Sequence, residues 1–294
     1  MPSTRAEKNR CYQAGFCPGS MLYTAVDTQR TDTMRLNYLV LLLLMCSSIS
    51  ASAEIVGEDI RYLAGNTELK GYLAYDNSLS NRRAGVLVVH EWWGHNNYAR
   101  IRARKLAKLG YTALAVDMYG DGMQARHPED AAAFAARLDN DLPLMQSRFQ
   151  AAMKVLKDHD TVLNTKIAAI GYCFGGGVVL EMARRGEKLK GVVSFHGSLG
   201  TRQPAQKGQV RARVLVLNGE ADPFVKAEQI SAFKQEMDTA GVNYHFVSYP
   251  GAKHAYTNPS ATSLGRRFNL PLEYNLDADT KSWKEMESFF RKIL

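Results

Sequence analysis

The sequence predicts an α/β fold in a single domain, with a mainly parallel, doubly wound sheet and an antiparallel hairpin at one edge. Three observations carry this. Short unbroken apolar runs, such as Val86-Leu87-Val88-Val89 and Val214-Leu215-Val216-Leu217, read as strands buried on both faces. They alternate with stretches of helical spacing, which is the pattern of successive βαβ units. The glycine-rich segment Gly171-Tyr172-Cys173-Phe174-Gly175-Gly176-Gly177 lies between one such strand and one such helix.

The elements follow in order. Residues 60–64 and 69–75 are strand-like and flank Gly65-Asn66-Thr67, which makes them the edge hairpin. Residues 77–83 form a polar loop before the buried strand 86–89. Helical spacing over 98–109 stops at Gly110, and 112–116 is the next strand. Residues 128–138 and 142–159 are helical, the second with Pro143 in its first turn, where proline is tolerated. Strand 167–170 feeds the glycine-rich turn, and helix 174–185 leaves it. Strands 192–195 and 214–217 come next, then a helix over 224–240 ended by Gly241, strand 244–249 and a closing helix over 279–293. No repeat, low-complexity stretch or second domain is evident.

Composition agrees with an ordinary globular protein. The chain has 294 residues, 46% hydrophobic and 22% charged, enough for one α/β domain with a full core. The formal charge of +8 is spread over the sequence, with short pairs at Arg82-Arg83, Arg184-Arg185 and Arg266-Arg267. No basic run is interleaved with aromatics, so the charge reads as solvated surface and no nucleic-acid partner is expected.

The N-terminal part reads as a targeting segment. Met34-Arg35 supplies a start and a positive charge, 39–45 is an apolar run, and Ala51-Ser52-Ala53 fits a signal-peptidase site with Glu54 as the mature start. Residues 1–33 then form an upstream extension, 34–53 a signal peptide, and 54–294 the functional domain, placed in the periplasm or secreted. The rival reading makes 1–53 an extended leader or anchor. The apolar run is too short to span a bilayer comfortably, so no stable membrane insertion is expected after cleavage. Of the four cysteines, Cys11, Cys17 and Cys46 fall in the segment expected to be removed. Cys173 is left alone, without an internal disulfide, and a lone thiol on a tight turn reads as reactive.

The order strand, sharp turn, helix around Cys173 has the form of the nucleophile elbow of α/β-hydrolases, G-x-S-x-G, with cysteine for serine. A side chain at the tip of so tight a turn is strained, and glycines two residues either side let strand and helix approach. The Phe174 amide then lies at the helix N-terminus, free to hold a developing oxyanion. The bland alternative is a glycine-rich turn with a buried structural cysteine. Partners follow in the chain order nucleophile, acid, histidine. Asp222 stands just past strand 214–217, with Glu220 as a competing acid, and His254 just past strand 244–249. His254 would take the thiol proton and later activate water, while Asp222 orients its ring. The loop His90-Glu91-Trp92-Trp93-Gly94 after strand 86–89 would supply the second oxyanion donor from the Trp92 amide. Glu91 could meet the thiol and keep it protonated until substrate arrives. Its alternative is a structural glutamate. His90 reads as a packed end-of-strand histidine, and Trp92 and Trp93 either line the pocket or close the core.

Together, Val86 to Gly94, Ala113 to Gly120, Gly171 to Gly177, Ser194-Phe195-His196-Gly197, Leu217 to Asp222 and Tyr249 to Asn258 resemble the dienelactone hydrolase family. The resemblance implies an α/β-hydrolase fold, hydrolysis of enol-lactones without a metal, a triad on Cys173, Asp222 and His254, and the family's glutamate on Glu91. Trp93, Tyr119, Arg126 and Tyr256 are the further candidates for substrate contact. The chain departs from the family where arginines bind the dienelactone carboxylate: Gly120-Asp121-Gly122 and residues 255–259 contain none, although Arg126 could reach in. The reaction class therefore transfers better than the substrate. The expected activity is hydrolysis of small esters or lactones by a monomer or small homo-oligomer with no cofactor and no metal. The competing readings are a non-catalytic binding or redox-sensing protein, and an acyltransferase or peptidase on the same scaffold.

Overall fold

The computed structural model describes residues 54–294. The extension 1–33, the signal peptide 34–53 and Cys11, Cys17 and Cys46 lie outside the described residues. The hairpin is longer than its apolar cores suggest: β1 (Ile55–Ala64) and β2 (Thr67–Asp76) pair antiparallel along their whole length about Gly65-Asn66, with Gly65 at φ +58°. Left-handed backbone at such a two-residue turn matches the twist of the strands it joins. Then come β3 (Arg83–Val89), α1 (Asn97–Lys108), β4 (Thr112–Val116), α2 (Pro128–Asp139), α3 (Leu142–Asp158), β5 (Val162–Tyr172) and α4 (Phe174–Arg184). The chain ends with β6 (Gly191–Phe195), β7 (Arg213–Gly219), α5 (Ala227–Ala240), β8 (Tyr244–Tyr249), α6 (Ala261–Phe268) and α7 (Leu276–Ile293).

The eight strands form one sheet in the order β1-β2-β4-β3-β5-β6-β7-β8, antiparallel through β1, β2 and β4 and parallel from there on. Strand alternation sends Leu87, Val89 and Ala169 to one face, where Phe149, Leu156, Val179 and Phe233 of α3, α4 and α5 cover them. It sends Val86, Val88 and Ile170 to the other, against Leu106 of α1 and Trp283 and Phe290 of α7. The sheet is thus doubly wound, as its continuous apolar strands predict.

Helices α5, α6 and α7 differ from expectation, α7 by starting at Leu276 rather than at residue 279, with Asn275 as its N-cap. Helix α5 starts at Ala227 rather than at residue 224, because Asp222 turns the chain first: its carboxylate accepts from the Phe224 N–H at 2.9 Å and its carbonyl from the Val225 N–H at 3.2 Å. Helix α6 is not legible in the sequence. It is short, carries Ser263 and Gly265 in its interior, both weak helix formers, and packs so closely that a Cβ on Gly265 would meet the Leu272 carbonyl at 2.6 Å.

At the turn after β5 the chains approach to backbone contact. A Cβ at Gly171 would lie 1.9 Å from the Gly175 carbonyl, and one at Gly175 would lie 2.4 Å from the Val89 carbonyl. Neither neighbour is a side chain that could swing away. Gly171→Ala should therefore destabilise the fold by about 3 kcal/mol or more, whereas Gly200→Ala, which faces open space, should stay within about 0.5 kcal/mol. Urea melts of the two variants decide this, and equal midpoints would overturn it.

Candidate active site

Cys173 is the N-cap of α4 and holds φ +53°, ψ −116°. Such backbone costs an L-residue about 1–3 kcal/mol and is kept only where the surroundings enforce it. Its N–H is shared between the Phe195 carbonyl at 3.0 Å and His196 Nδ1 at 3.1 Å. The thiol projects from the carboxyl edge of the sheet, where β7 and β8 deliver the other two residues. Asp222 Oδ2 lies 2.7 Å from His254 Nδ1, and His254 Nε2 lies 3.0 Å from Cys173 Sγ. The turn that delays α5 also holds the Asp222 carboxylate through its other oxygen. Glu220, the competing acid, is exposed and has no part in this chain of contacts.

His254 is buried, which by itself disfavours its charged form. The Cys173 sulfur and the Asp222 carboxylate, one on each ring nitrogen, outweigh that burial and push its pKa from 6.5 up to about 10. The half-exposed ring of Phe224 stands edge-on to the imidazole at 4.9 Å.

The 90–94 loop is pinned from two sides. The Gly175 N–H donates to the His90 carbonyl at 3.1 Å. His90 Nε2 accepts from the Met118 N–H at 3.2 Å, so the ring proton sits on Nδ1 and is donated to the Glu91 carbonyl at 2.6 Å. His90 is the packed end-of-strand histidine the sequence suggests. The Tyr119 hydroxyl donates to the Trp92 carbonyl at 3.0 Å. Among the described residues, the amides of Trp92 and Phe174 donate to no protein acceptor, which leaves both N–H groups available to a bound oxygen.

The structure corrects three of the expected site residues. Glu91 does not meet the thiol: its Oε2 accepts from Asn258 Nδ2 at 2.6 Å, while the sulfur faces His254. Burial pushes the Glu91 carboxyl from 4.5 up to about 7, against the pull of Asn258, His254 and Arg102. Tyr119 lies beneath the site, its ring packed on His90 and Phe174 at 4.7 and 5.5 Å, where it supports the loop rather than touching substrate. Tyr256 is fully buried and donates to the Leu217 carbonyl at 3.1 Å. Aromatic residues close to a catalytic position in sequence point inward here because both sheet faces need filling.

Trp93 closes the core and also borders a cleft that none of Cys173, Asp222 and His254 lines. It is largely buried against Phe268, at 5.8 Å between rings, and it lines a cleft of about 500 Å³ with Arg126, Asn258, Arg267 and Phe268. A second cleft of about 530 Å³ runs past Phe174 and Gly177, bounded by Asp139, Met145, Glu181 and Arg202. Residues that sequence reasoning left without a role also converge here, namely Asn258 on Glu91, Phe224 on His254, and His196 on the elbow. Only the fold brings them together.

A strained thiol elbow, a histidine–aspartate pair and a pinned loop at the carboxyl edge of a mostly parallel sheet define the α/β-hydrolase class. The model of the dienelactone hydrolase family matches residues 69–294. A dienelactone hydrolase-like promiscuous phosphotriesterase from metagenomic libraries is 34% identical, with a TM-score of 0.76, covering 82% of this chain and 99% of its own. The "Putative carboxymethylenebutenolidase" of Aquifex aeolicus is 24% identical over 250 residues, covering 81% of this chain and 100% of the relative. The Anabaena variabilis dienelactone hydrolase shares the fold, with a TM-score of 0.54 and 23% identity over 72% of this chain and 94% of its own. The chain belongs to the dienelactone hydrolase family, and with it to the carboxylic ester hydrolases.

The Glu91 environment makes a measurable claim about stability. Between pH 4.5 and about 7 the folded state keeps a proton on Glu91 that the unfolded chain releases. Stability from this group is therefore complete below 4.5 and declines as pH rises to about 7. Glu91→Gln cannot ionise and should abolish that decline, worth up to about 3 kcal/mol. Urea melts on both sides of the window test this, and parallel losses in variant and wild type would contradict it.

Proposed function

We propose that this protein hydrolyses small carboxylic esters or lactones through a Cys173–His254–Asp222 triad and a thioester intermediate. The observation that supports the reading best is the unbroken chain Asp222 Oδ2–His254 Nδ1 at 2.7 Å and His254 Nε2–Cys173 Sγ at 3.0 Å, carried on a strained elbow. In the first half-reaction the Cys173 thiolate attacks the carbonyl carbon and forms a C–S bond. The carbonyl oxygen gathers the charge and is held by the Phe174 and Trp92 amides. The imidazolium of His254 passes its Nε2 proton to the leaving alkoxide as the C–O bond breaks. For a lactone the alcohol stays tethered to the acyl group. In the second half, neutral His254 takes a proton from water, the hydroxide attacks the thioester, and the C–S bond breaks to return the thiolate and the imidazolium. Asp222 keeps the imidazole in the required tautomer throughout.

On this reading Glu91 serves the loop and Asn258 rather than the resting thiol. We further propose that the domain acts after export, with Glu54 as its first residue. N-terminal sequencing of the fractionated native protein checks that. Similarity to a protein described as a promiscuous phosphotriesterase favours adding a p-nitrophenyl phosphotriester to the substrate panel, since the same thiol and amides could serve attack at phosphorus.

Hydrolysis of p-nitrophenyl acetate and a panel of small lactones should fall about 1,000-fold or more in kcat/KM for Cys173→Ala and His254→Ala, and about 100-fold or more for Asp222→Asn. Undiminished turnover by Cys173→Ala would sink the mechanism. The pH profile gives a second check. The imidazolium that protonates the leaving group survives until its pKa of about 10, so kcat/KM should lose activity on the alkaline side only as pH approaches 10. A decline already complete by pH 8 would contradict the ion pair.

A further inference from the structure

His196 directly follows β6 and is fully buried, with φ +40°. Its N–H is bonded to the Leu217 carbonyl at 2.9 Å. Its ring spans two segments of the site. Nδ1 lies 3.1 Å from the Cys173 backbone nitrogen, and Nε2 lies 2.7 Å from Thr257 Oγ1. A backbone N–H can only donate, so Nδ1 is the acceptor, Nε2 carries the proton, and the Thr257 hydroxyl receives it. Thr257 comes three residues after His254. It is fixed in turn, with its hydroxyl 2.6 Å from the Tyr98 hydroxyl and its carbonyl accepting from Arg102, which also holds Asp279 at 2.7 Å.

We propose that His196 is a positioning residue: a neutral imidazole strut that joins the elbow backbone of Cys173 to the segment carrying His254 and so sets the sulfur–imidazole contact. The proposal rests on the triad reading above.

The surroundings suit a neutral ring. The edge of His254 stands 5.3 Å away between ring centroids, and Tyr256 and Tyr172 pack at 5.2 and 6.0 Å. Burial and the positive charges of His254 and Arg102 hold the His196 pKa well below 6.5. Protonation would aim a second N–H at the Cys173 N–H and break the joint. No other side chain offers an acceptor and a donor on opposite edges of one rigid ring. The elbow N–H keeps the Phe195 carbonyl as a second acceptor, so loss of the ring should shift the elbow rather than unfold it.

The test reads the thiol directly. In protein spanning residues 54–294, Cys173 is the only cysteine, so iodoacetamide alkylation as a function of pH reports its ionisation in the site. His196→Phe keeps the packing and removes both hydrogen bonds. It should raise the alkylation midpoint by about one pH unit. It should also lower kcat for p-nitrophenyl acetate about 100-fold with KM changed less than about 3-fold. His196→Asn offers an acceptor near the Nδ1 position and tolerates positive φ. It should restore the midpoint, whereas His196→Gln, which reaches only toward Thr257, should not. A folded His196→Phe with the wild-type alkylation profile and kcat overturns the proposal. So does equal behaviour of the Asn and Gln variants, or failure of all three to fold, which would assign these contacts to the fold alone. Retained hydrolysis by Cys173→Ala would defeat the triad reading separately, because alkylation judges the strut whether or not the thiol is the nucleophile.

Discussion

Cys173 is held at φ +53°, ψ −116°, and the surrounding chain is shaped to keep it there. Gly171 and Gly175 are bare where strand and helix meet at backbone distance. The Gly175 N–H reaches across to the His90 carbonyl, so the same helix turn that raises the thiol also pins the loop bearing Trp92. One piece of strain thus sets both the thiol and the two amides that donate to no protein acceptor. The parallel sheet does the rest, because β5, β7 and β8 all end at the same edge and deliver Cys173, Asp222 and His254 to one place.

The electrostatics beneath this edge are unusually dense for a protein interior. Arg102 is almost wholly buried under the site, bonded to Asp279 and the Thr257 carbonyl, with the faces of Tyr98, Tyr172 and Trp283 at 5.1, 5.3 and 5.4 Å. A buried cation paired this way remains charged and ties α1, α7 and the segment after His254 to one another. His254 is flanked by its own sulfur and carboxylate, separate from the Arg102–Asp279 pair, so the two basic groups do not share a partner. Glu91, facing an amide rather than a cation, is the member of the group that gives up its charge most readily.

Much of this was legible in the sequence because it is written locally. The elbow is a contiguous motif. Asp222 and His254 can be found because strand ends are visible as apolar runs that stop, and the sheet edge then supplies the third dimension. The hairpin and the alternation of strands and helices followed from periodicity alone. What escaped was pairing across the chain. That Glu91 faces Asn258 rather than Cys173 depends on how the segment after β8 folds back over the 90–94 loop, and no local pattern encodes it. Tyr119 and Tyr256 stand near site residues in sequence yet point into the core, Tyr119 onto His90 and Phe174 and Tyr256 onto the Leu217 carbonyl, contacts between distant segments that no local pattern announces. Helix α6 was missed because Ser263 and Gly265 give it little intrinsic preference and its packing against 270–272 supplies what propensity does not.

The two clefts bear on why the reaction class transfers more readily than the substrate. Family members that bind a carboxylate with arginines are expected to carry them after the segment matching Asp117-Met118-Tyr119 and just beyond the histidine. Asp121 and Asn258 occupy those neighbourhoods here, and the Asn258 amide is committed to Glu91. A substrate carboxylate at Asn258 would lie beside a glutamate that is part-ionised at neutral pH, an arrangement that like charges oppose. Positive charge has moved outward instead, to Arg126 and Arg267 on the rim of the cleft lined by Trp93 and Phe268. The cleft along α4 carries Asp139 and Arg202, and its Glu181 is already paired with Arg185 at 2.5 Å and Arg184 at 3.6 Å, so the rim of the first cleft is where positive charge stands without a carboxylate partner in its lining.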